Sequence, residues 1–288
     1  MSAVRDALTR GAARLTEAGV DSARLDARLL LGFAMDIAPE NLLVARDMTE
    51  EHLAYFEALI SRRESREPLA YIVGQKEFWS LDFEVGPGVL IPRPETETLI
   101  EEALRDFPDR DAPLDIADLG TGSGCLLIAF LESYPNAKGV GIDRSADALA
   151  WARRNATRHG VGDRCVLSQS DWATNVAPTF DVVLSNPPYV TERELAEASP
   201  EILRYEPRDA LVGGVDGLNA YRELAPVIAG RLRPGGRAYL EIGSTQAEDV
   251  TSVLERDGLR VVRIAADLAG HPRCVVAQKT VGNPVASG

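Results

Sequence analysis

The chain has 288 residues, 45% hydrophobic, 26% charged and 6% aromatic. That balance excludes disordered, fibrous and collagenous chains and predicts a soluble globular protein of one large α/β domain, or one domain with a smaller companion. Lys and Arg number 31 against 44 Asp and Glu, for a net charge of −13, a field that disfavours broad binding to nucleic acid or anionic membrane while leaving one locally basic face open.

Cys125, Cys165 and Cys274 are widely spaced and include no C-x-x-C pair. They predict neither a disulfide framework nor a zinc motif, and they fit a reducing compartment. His52, His159 and His271 stand far apart and read as surface or packing residues, so no metal site is expected. The opening MSAVRDALTR carries charges with no apolar run behind it and is not read as a secretory signal. The longest apolar stretch, Cys125 to Leu131, is too short to cross a bilayer. A cytoplasmic protein is expected.

In chain order, residues 1–67 predict a small helical bundle. Val4, Leu8, Leu15 and Val20, then Leu25, Leu29, Leu30 and Phe33, then Leu53, Phe56 and Ile60 recur at three- or four-residue steps. Asp21-Ser22 and Thr49 suit helix caps, and Pro39 suits a helix start. Residues 68–94 predict a hairpin linker: Tyr71–Gly74, Glu77–Trp79 and Leu81–Val85 are strand-like, and Gly86-Pro87-Gly88 and Pro92-Arg93-Pro94 break the chain after them. Glu95-Thr96-Glu97 opens a helix running to about Leu104.

Residues 95–288 predict the main domain. Strands are expected at 114–119, 138–142, 164–168, 181–185, 237–242, 260–265 and 274–278, with helices at 125–133, 146–159, 218–232 and 246–255. Such alternation makes a doubly wound, mostly parallel sheet. The tail 281–288 is expected to be loose.

Asp118-Leu119-Gly120-Thr121-Gly122-Ser123-Gly124 lies between an apolar strand and a helix. Glycines there let a bulky ligand approach the backbone, with helix N–H groups facing it. A dinucleotide fingerprint would need its third glycine where Cys125 stands, and there is no Lys-Ser/Thr pair for a phosphate loop. The D-x-G-x-G-x-G form is the one associated with S-adenosylmethionine enzymes. Asp143 follows the next strand, roughly 20 residues beyond Gly120, where a carboxylate can accept from both ribose hydroxyls. The competing reading is a tight turn with an acidic helix cap. Asp171-Trp172, past the third strand, suits a purine through stacking and an acceptor, or else aromatic packing under a loop; Trp151 and Trp79 read as structural.

Ser185-Asn186-Pro187-Pro188-Tyr189 directly follows the apolar strand Val182-Val183-Leu184. The two prolines remove two donors and fix φ, so the turn offers carbonyl acceptors with no competing N–H, and the Asn186 side chain adds another. Together they can grip both hydrogens of a planar –NH₂ group, with Tyr189 against it. That grip favours a localised nitrogen lone pair aimed at an activated methyl, without a strong base. An ordinary turn is the alternative.

With these motifs the chain resembles the release factor glutamine methyltransferase family, a branch of the class I S-adenosylmethionine-dependent methyltransferases. The resemblance covers nearly the full length. Its specific parts are Val89–Glu97, Asp118–Gly124, Asp143, Asp171-Trp172, Asn186–Tyr189, and Tyr205-Glu206-Pro207 with Ala210-Leu211 and Gly214. The linker motif discriminates, because N-P-P-Y also occurs in amino-methylating DNA enzymes. The resemblance implies a Rossmann-like seven-stranded α/β domain that methylates N5 of the glutamine in the Gly-Gly-Gln tripeptide of class I peptide chain release factors. It places Gly120, Thr121, Gly122, Ser123, Gly124, Asp143, Asp171, Trp172 and Asn186 at the cofactor, and Asn186, Pro187, Pro188 and Tyr189 at the glutamine, with Asn186, Pro187 and Tyr189 catalytic.

On this reading residues 191–217 cover the bound peptide, the N-terminal bundle docks elsewhere on the factor, and a monomer suffices. Two other readings use parts of the same pattern. An N6-adenine DNA or RNA methyltransferase would need a basic groove, to which Arg204, Arg208, Arg222, Arg231 and Arg233 could contribute. A non-catalytic cofactor sensor would have no use for an intact acceptor turn.

Overall fold

The computed structural model describes residues 3–42, 44–45, 48–172 and 179–279; the expected loose tail lies outside them. The chain divides into two compact units, Met1–Gln75 with Ala198–Glu206, and Lys76–Glu197 with Pro207–Gly288.

The first unit begins with α1 (Ala3–Glu17), α2 (Ala23–Met35), α3 (Glu50–Glu64) and α4 (Leu69–Val73). Their apolar faces meet around Leu15, Leu30, Leu31, Phe56 and Ile60, all fully buried. Thr49 caps α3 as expected: its hydroxyl accepts from the His52 N–H while the His52 ring accepts from the Thr49 N–H. Ser22 stands at the N-cap of α2, but its hydroxyl donates to Asp26 at 2.7 Å rather than capping the backbone. Tyr71–Val73, expected to be strand-like, are helical: Pro68 starts the turn, and Gly74 at φ +78 ends it.

The second unit opens with a hairpin of β1 (Gln75–Phe78) and β2 (Leu81–Glu84). Its turn is Trp79-Ser80, with φ near +55 and +58. A 3₁₀ turn at Pro94–Thr96 leads into α5 (Glu97–Asp106). There follow β3 (Asp115–Leu119), α6 (Cys125–Ser133), β4 (Lys138–Asp143), α7 (Ala146–Arg158), β5 (Cys165–Gln169), β6 (Phe180–Ser185) and α8 (Glu192–Ala196). After α9 (Pro200–Tyr205), which belongs to the first unit, come α10 (Asn219–Arg231), β7 (Leu232–Glu241), α11 (Ala247–Arg256), β8 (Leu259–Ala266) and β9 (Pro272–Lys279).

The seven long strands form one sheet in the order β5-β4-β3-β6-β7-β9-β8, with only β9 antiparallel to its neighbours. Successive residues supply opposite faces. Ile116, Val182, Leu184 and Tyr239 join the core beneath α5 and α6, while Ala117, Leu119, Val183 and Leu240 join that beneath α10 and α11. Gly139 on β4 lets α6 come close, since a Cβ there would lie 2.4 Å from Leu127 Cδ1. β7 starts five residues earlier than the pattern at Arg237 predicts. Leu232 pairs with Phe180, Arg237 pairs with Val182, and Pro234-Gly235-Gly236 bulge out between them. Strand order reverses between β3 and β6, so the crevice at their carboxyl ends is where such a sheet takes a ligand.

Candidate active site

That crevice holds a cavity of about 600 Å³, a size suited to one nucleoside-sized ligand. Gly120, Thr121, Gly122, Ser123, Asp143, Asp171, Trp172, Asn186 and Pro188 all lie in its wall; Gly124, Pro187 and Tyr189 do not. The glycine turn and the acceptor corner, 66 residues apart between Gly120 and Asn186, therefore face one space because β3 and β6 are adjacent and parallel.

The turn is locked from two sides. Gly120 and Thr121 N–H groups donate to the Ile142 carbonyl at 2.8 and 2.9 Å. Asp143 accepts from the Gly122 N–H through Oδ2 and from the Ser145 N–H through Oδ1, both at 2.9 Å. Burial pushes the Asp143 carboxyl above the usual range, against those two backbone donors. Gly122 sits at φ +55, and a Cβ built there would meet nothing within 4 Å. The space beside it is thus open to a ligand that must touch backbone.

Gly124 does a different job: its Cβ position lies 3.0 Å from Ile128 Cδ1 and 3.3 Å from Ala152 Cβ, so the missing side chain serves helix packing. Trp172, at φ +43, lays its ring behind Gly120 and donates its indole N–H to Glu223 at 2.5 Å. Trp151 packs on the linker, where Gly86 leaves room for its ring, and donates to the Pro87 carbonyl.

Asp118 is wholly buried at the end of β3. Its Oδ2 accepts from the Thr121 hydroxyl at 2.7 Å, and its Oδ1 is the one buried side-chain oxygen or nitrogen without a hydrogen-bond partner among the described residues. Burial, reinforced by Asp143 and opposed by Thr121, pushes its carboxyl up to about 7.

The acceptor corner is held from behind. Ser185 Oγ donates to the Leu119 carbonyl at 2.6 Å, tying β6 to β3. The Asn186 amide donates through Nδ2 to Thr96 Oγ1 at 3.1 Å, and Thr96 Oγ1 donates to Glu241 Oε2 at 2.5 Å. Tyr189 Oη donates to Glu241 Oε1 at 3.0 Å, so its hydroxyl serves that buried carboxylate and not the cavity. Burial raises the Glu241 carboxyl, against hydrogen bonds from Thr96 and Tyr189 and the charge of Arg273.

Thr96, Glu241 and Asp118 were absent from the site residues read off the sequence. Thr96 sits within the linker motif 89–97, most of which the structure brings to the cavity as Val89, Leu90, Pro92, Arg93 and Thr96. Glu241 lies in the strand expected at 237–242, and a carboxylate among Tyr239, Leu240 and Ile242 is the signal that was available. Among the arginines offered for a basic groove, Arg208 pairs with Glu192, Arg222 with Asp216, and Arg233 with both Asp115 and Asp181. Such pairing cancels their field.

Comparison with known proteins gives a consistent picture. A family model described as PrmC N-terminal domain matches residues 6–74, and one described as methyltransferase small domain matches residues 98–212. The release factor glutamine methyltransferase of Rhodospirillum rubrum is 43% identical over 96% of this chain and 86% of its own length. That of Caulobacter vibrioides is 42% identical over 95% of this chain and 94% of its own. The crystal structure of a methyltransferase from Pyrococcus furiosus, 20% identical, superposes with a TM-score of 0.52 over 78% of this chain and 98% of that one, a likeness of fold.

Proposed function

The chain belongs to the release factor glutamine methyltransferase family, and from that premise we propose that it methylates the side-chain amide nitrogen of the glutamine in the Gly-Gly-Gln tripeptide of a class I peptide chain release factor, with S-adenosylmethionine as donor. The observation that carries the reading is the shared cavity: an open glycine turn with its carboxylate lines it together with Asn186 and Pro188 of the acceptor corner. When bound, S-adenosylmethionine supplies an electrophilic methyl carbon on a cationic sulfur. The residues present fit it. The open face at Gly122 admits close approach to backbone, and the unpartnered Asp118 oxygen beneath the turn favours a cation.

Asp143, already anchored by two backbone donors, would hold the ribose hydroxyls on its remaining lone pairs, and Asp171 with Trp172 the purine. At the other side, Asn186 Oδ1, in the cavity wall, and the Pro187 carbonyl, just beyond that wall, would accept the two hydrogens of the glutamine amide. This orients its nitrogen without deprotonating it, and Pro188 and Tyr189 limit its movement. As the nitrogen gains the methyl carbon and that carbon's bond to the donor sulfur breaks, leaving S-adenosylhomocysteine, one of those hydrogens would leave as a proton along its bond to Asn186 Oδ1 and pass to water. The first-unit helices serve as the docking surface for the factor.

The test is transfer of labelled methyl from S-adenosylmethionine to purified release factor and to its Gln→Ala variant. Label on the former alone is expected; equal label on both rejects the assignment.

A further inference from the structure

We propose that Thr96, held by Glu241, is a positioning residue that decides which end of the Asn186 amide faces the cavity; this rests on the acceptor reading above. An asparagine amide has one accepting and one donating end, related by a half-turn about its last side-chain bond, and only one of the two orientations serves this chemistry. If Oδ1 faces the cavity, the corner grips the hydrogens of an incoming –NH₂. With Nδ2 in its place, two sets of donors would confront each other.

The choice is made two residues away. Glu241 is 1% exposed, and as a carboxylate it can only accept. Both its oxygens are engaged, one by the Thr96 hydroxyl at 2.5 Å and one by the Tyr189 hydroxyl at 3.0 Å. Thr96, itself 2% exposed, has a single hydroxyl proton, and that proton is given to Glu241. Its lone pairs can then only accept, and what stands 3.1 Å away is the Asn186 amide nitrogen. Reversing the amide would set two acceptors against each other in a buried place, losing one hydrogen bond within a charged network. Such a loss biases the orientation by about tenfold to a hundredfold.

The polarity therefore runs in one direction, from the Glu241 charge through the Thr96 hydroxyl to the amide, and leaves Oδ1 toward the cavity. The members come from β7, from the turn before α5 and from the corner after β6, elements far apart in sequence. Neither Thr96 nor Glu241 needs to touch the reacting nitrogen; each acts through Asn186. The charged and ionisable groups around Glu241 include Tyr189, Tyr221, Arg273, Glu95 and the thiols of Cys125 and Cys274, and its own backbone carbonyl accepts from Tyr221 Oη at 2.7 Å.

The experiment compares Thr96→Val, Thr96→Ser, Glu241→Gln and Asn186→Ala in the full chain. Methyl transfer to release factor gives kcat and KM separately, and calorimetric titration gives S-adenosylmethionine affinity. Thr96→Val keeps the side-chain shape. Loss of the bias alone lets the amide sit reversed about half the time, a loss of about twofold. Loss of the anchor at Nδ2 lets the amide move as well, so kcat is expected to fall by about tenfold or more, with KM and cofactor affinity within about threefold. Thr96→Ser, which restores the hydroxyl, is expected to return kcat to within about threefold of the parent.

Glu241→Gln keeps the volume but removes the fixed acceptor, and it too is expected to lower kcat; it answers the question if Thr96→Val fails to fold. The inference is overturned if Thr96→Val, or Glu241→Gln in its stead, keeps the parent kcat. It is also overturned if serine is as poor as valine, or if the loss lies in cofactor affinity. Asn186→Ala separates the two levels. If it is inactive while Thr96→Val is fully active, only the orientation argument fails; if Asn186→Ala is itself active, the acceptor reading fails with it.

Discussion

Replacing Asp118 by asparagine should make the second unit relatively more stable as pH rises. The carboxyl is driven from an ordinary 3.8 to about 7, chiefly by burial, with the Asp143 charge adding to it and the Thr121 hydroxyl opposing. Because the folded-state value lies above the unfolded one, the stabilising contribution is fully present below about pH 4 and is lost as pH rises through about 7. A rise from 3.8 to about 7, at about 1.4 kcal/mol per pH unit, puts the ceiling near 4 kcal/mol at pH 8. Between pH 5 and pH 8 alone the change is about 2–3 kcal/mol.

Asparagine cannot ionise, and its own cost, one amide end without a partner, does not change with pH. The quantity to measure is therefore the slope of the stability difference, not its absolute value. All three tryptophans, Trp79, Trp151 and Trp172, lie in the second unit, so urea unfolding followed by tryptophan fluorescence reports on it directly. Saturating S-adenosylmethionine should flatten the slope, since a cation near the glycine turn favours the ionised carboxyl. A difference that stays constant from pH 5 to pH 8 would refute the argument, because it would mean that Asp118 titrates alike in the folded and unfolded chains.

Other outcomes rest on the same geometry. Gly122→Ala should cost only about 1 kcal/mol of stability from its positive φ, yet weaken cofactor binding at least about tenfold because the methyl enters the approach face; denaturation and calorimetry separate the two. Burial pushes the Cys125 thiol up to about 12 and that of Cys165 up to about 11, with Asp118 adding to both, so alkylation at pH 8 should be slow at both and slower still at Cys125, in the cavity wall, with cofactor bound; peptide mass spectrometry reads this out.

In the first unit, burial opposes ionisation of Glu201, but hydrogen bonds from Arg66 and Arg63 outweigh it and hold the carboxyl at about 2. Its contribution is present above about pH 4.5 and is lost as pH falls toward 2. Glu201→Gln should therefore destabilise this unit by about 3 kcal/mol at pH 7 and progressively less in acid, as measured by limited proteolysis of residues 198–206.

The parallel sheet was legible because its strands are short apolar runs separated by helical spacing, and buried-on-both-faces strands carry that signal strongly. The glycine turn and the Asn-Pro-Pro-Tyr corner were legible for another reason: each needs particular residues for local backbone reasons, so the requirement is written contiguously. What escaped is long-range. Whether Glu241 faces inward depends on strand register and on which element covers it. Its partners Thr96 and Tyr189 lie 145 and 52 residues away. Tyr71-Ile72-Val73 misled because a β-branched, aromatic triplet has strand propensity, and the helical turn it adopts is set by Pro68, Gly74 and burial against the bundle. The salt-bridged helix at 200–205 carries no local sign that it packs with the N-terminal helices rather than with the sheet.

The absence of a strong base from the corner and its elaborate anchoring are two sides of one requirement. A carboxamide nitrogen is too weak an acid for any side chain to deprotonate at neutral pH, so proton abstraction cannot supply the driving force. What can be supplied is accuracy of approach, which is worth several kcal/mol when reacting atoms are held near contact. Accuracy demands that the acceptors not move, and here they are tied from four directions: Ser185 to Leu119 on β3, Asn186 to Thr96 before α5, Tyr189 to Glu241 on β7, and the Tyr189 carbonyl to Gln246 Nε2 at 3.2 Å before α11. The groups that do the tying are buried and include one carboxylate, which is costly to bury unless each oxygen is hydrogen-bonded. Both Glu241 oxygens are, whereas one oxygen of Asp118 is not. The contrast separates the two acids: both Glu241 oxygens are satisfied from within the chain, while Asp118, buried beneath the glycine turn, keeps a carboxyl that burial drives up to about 7.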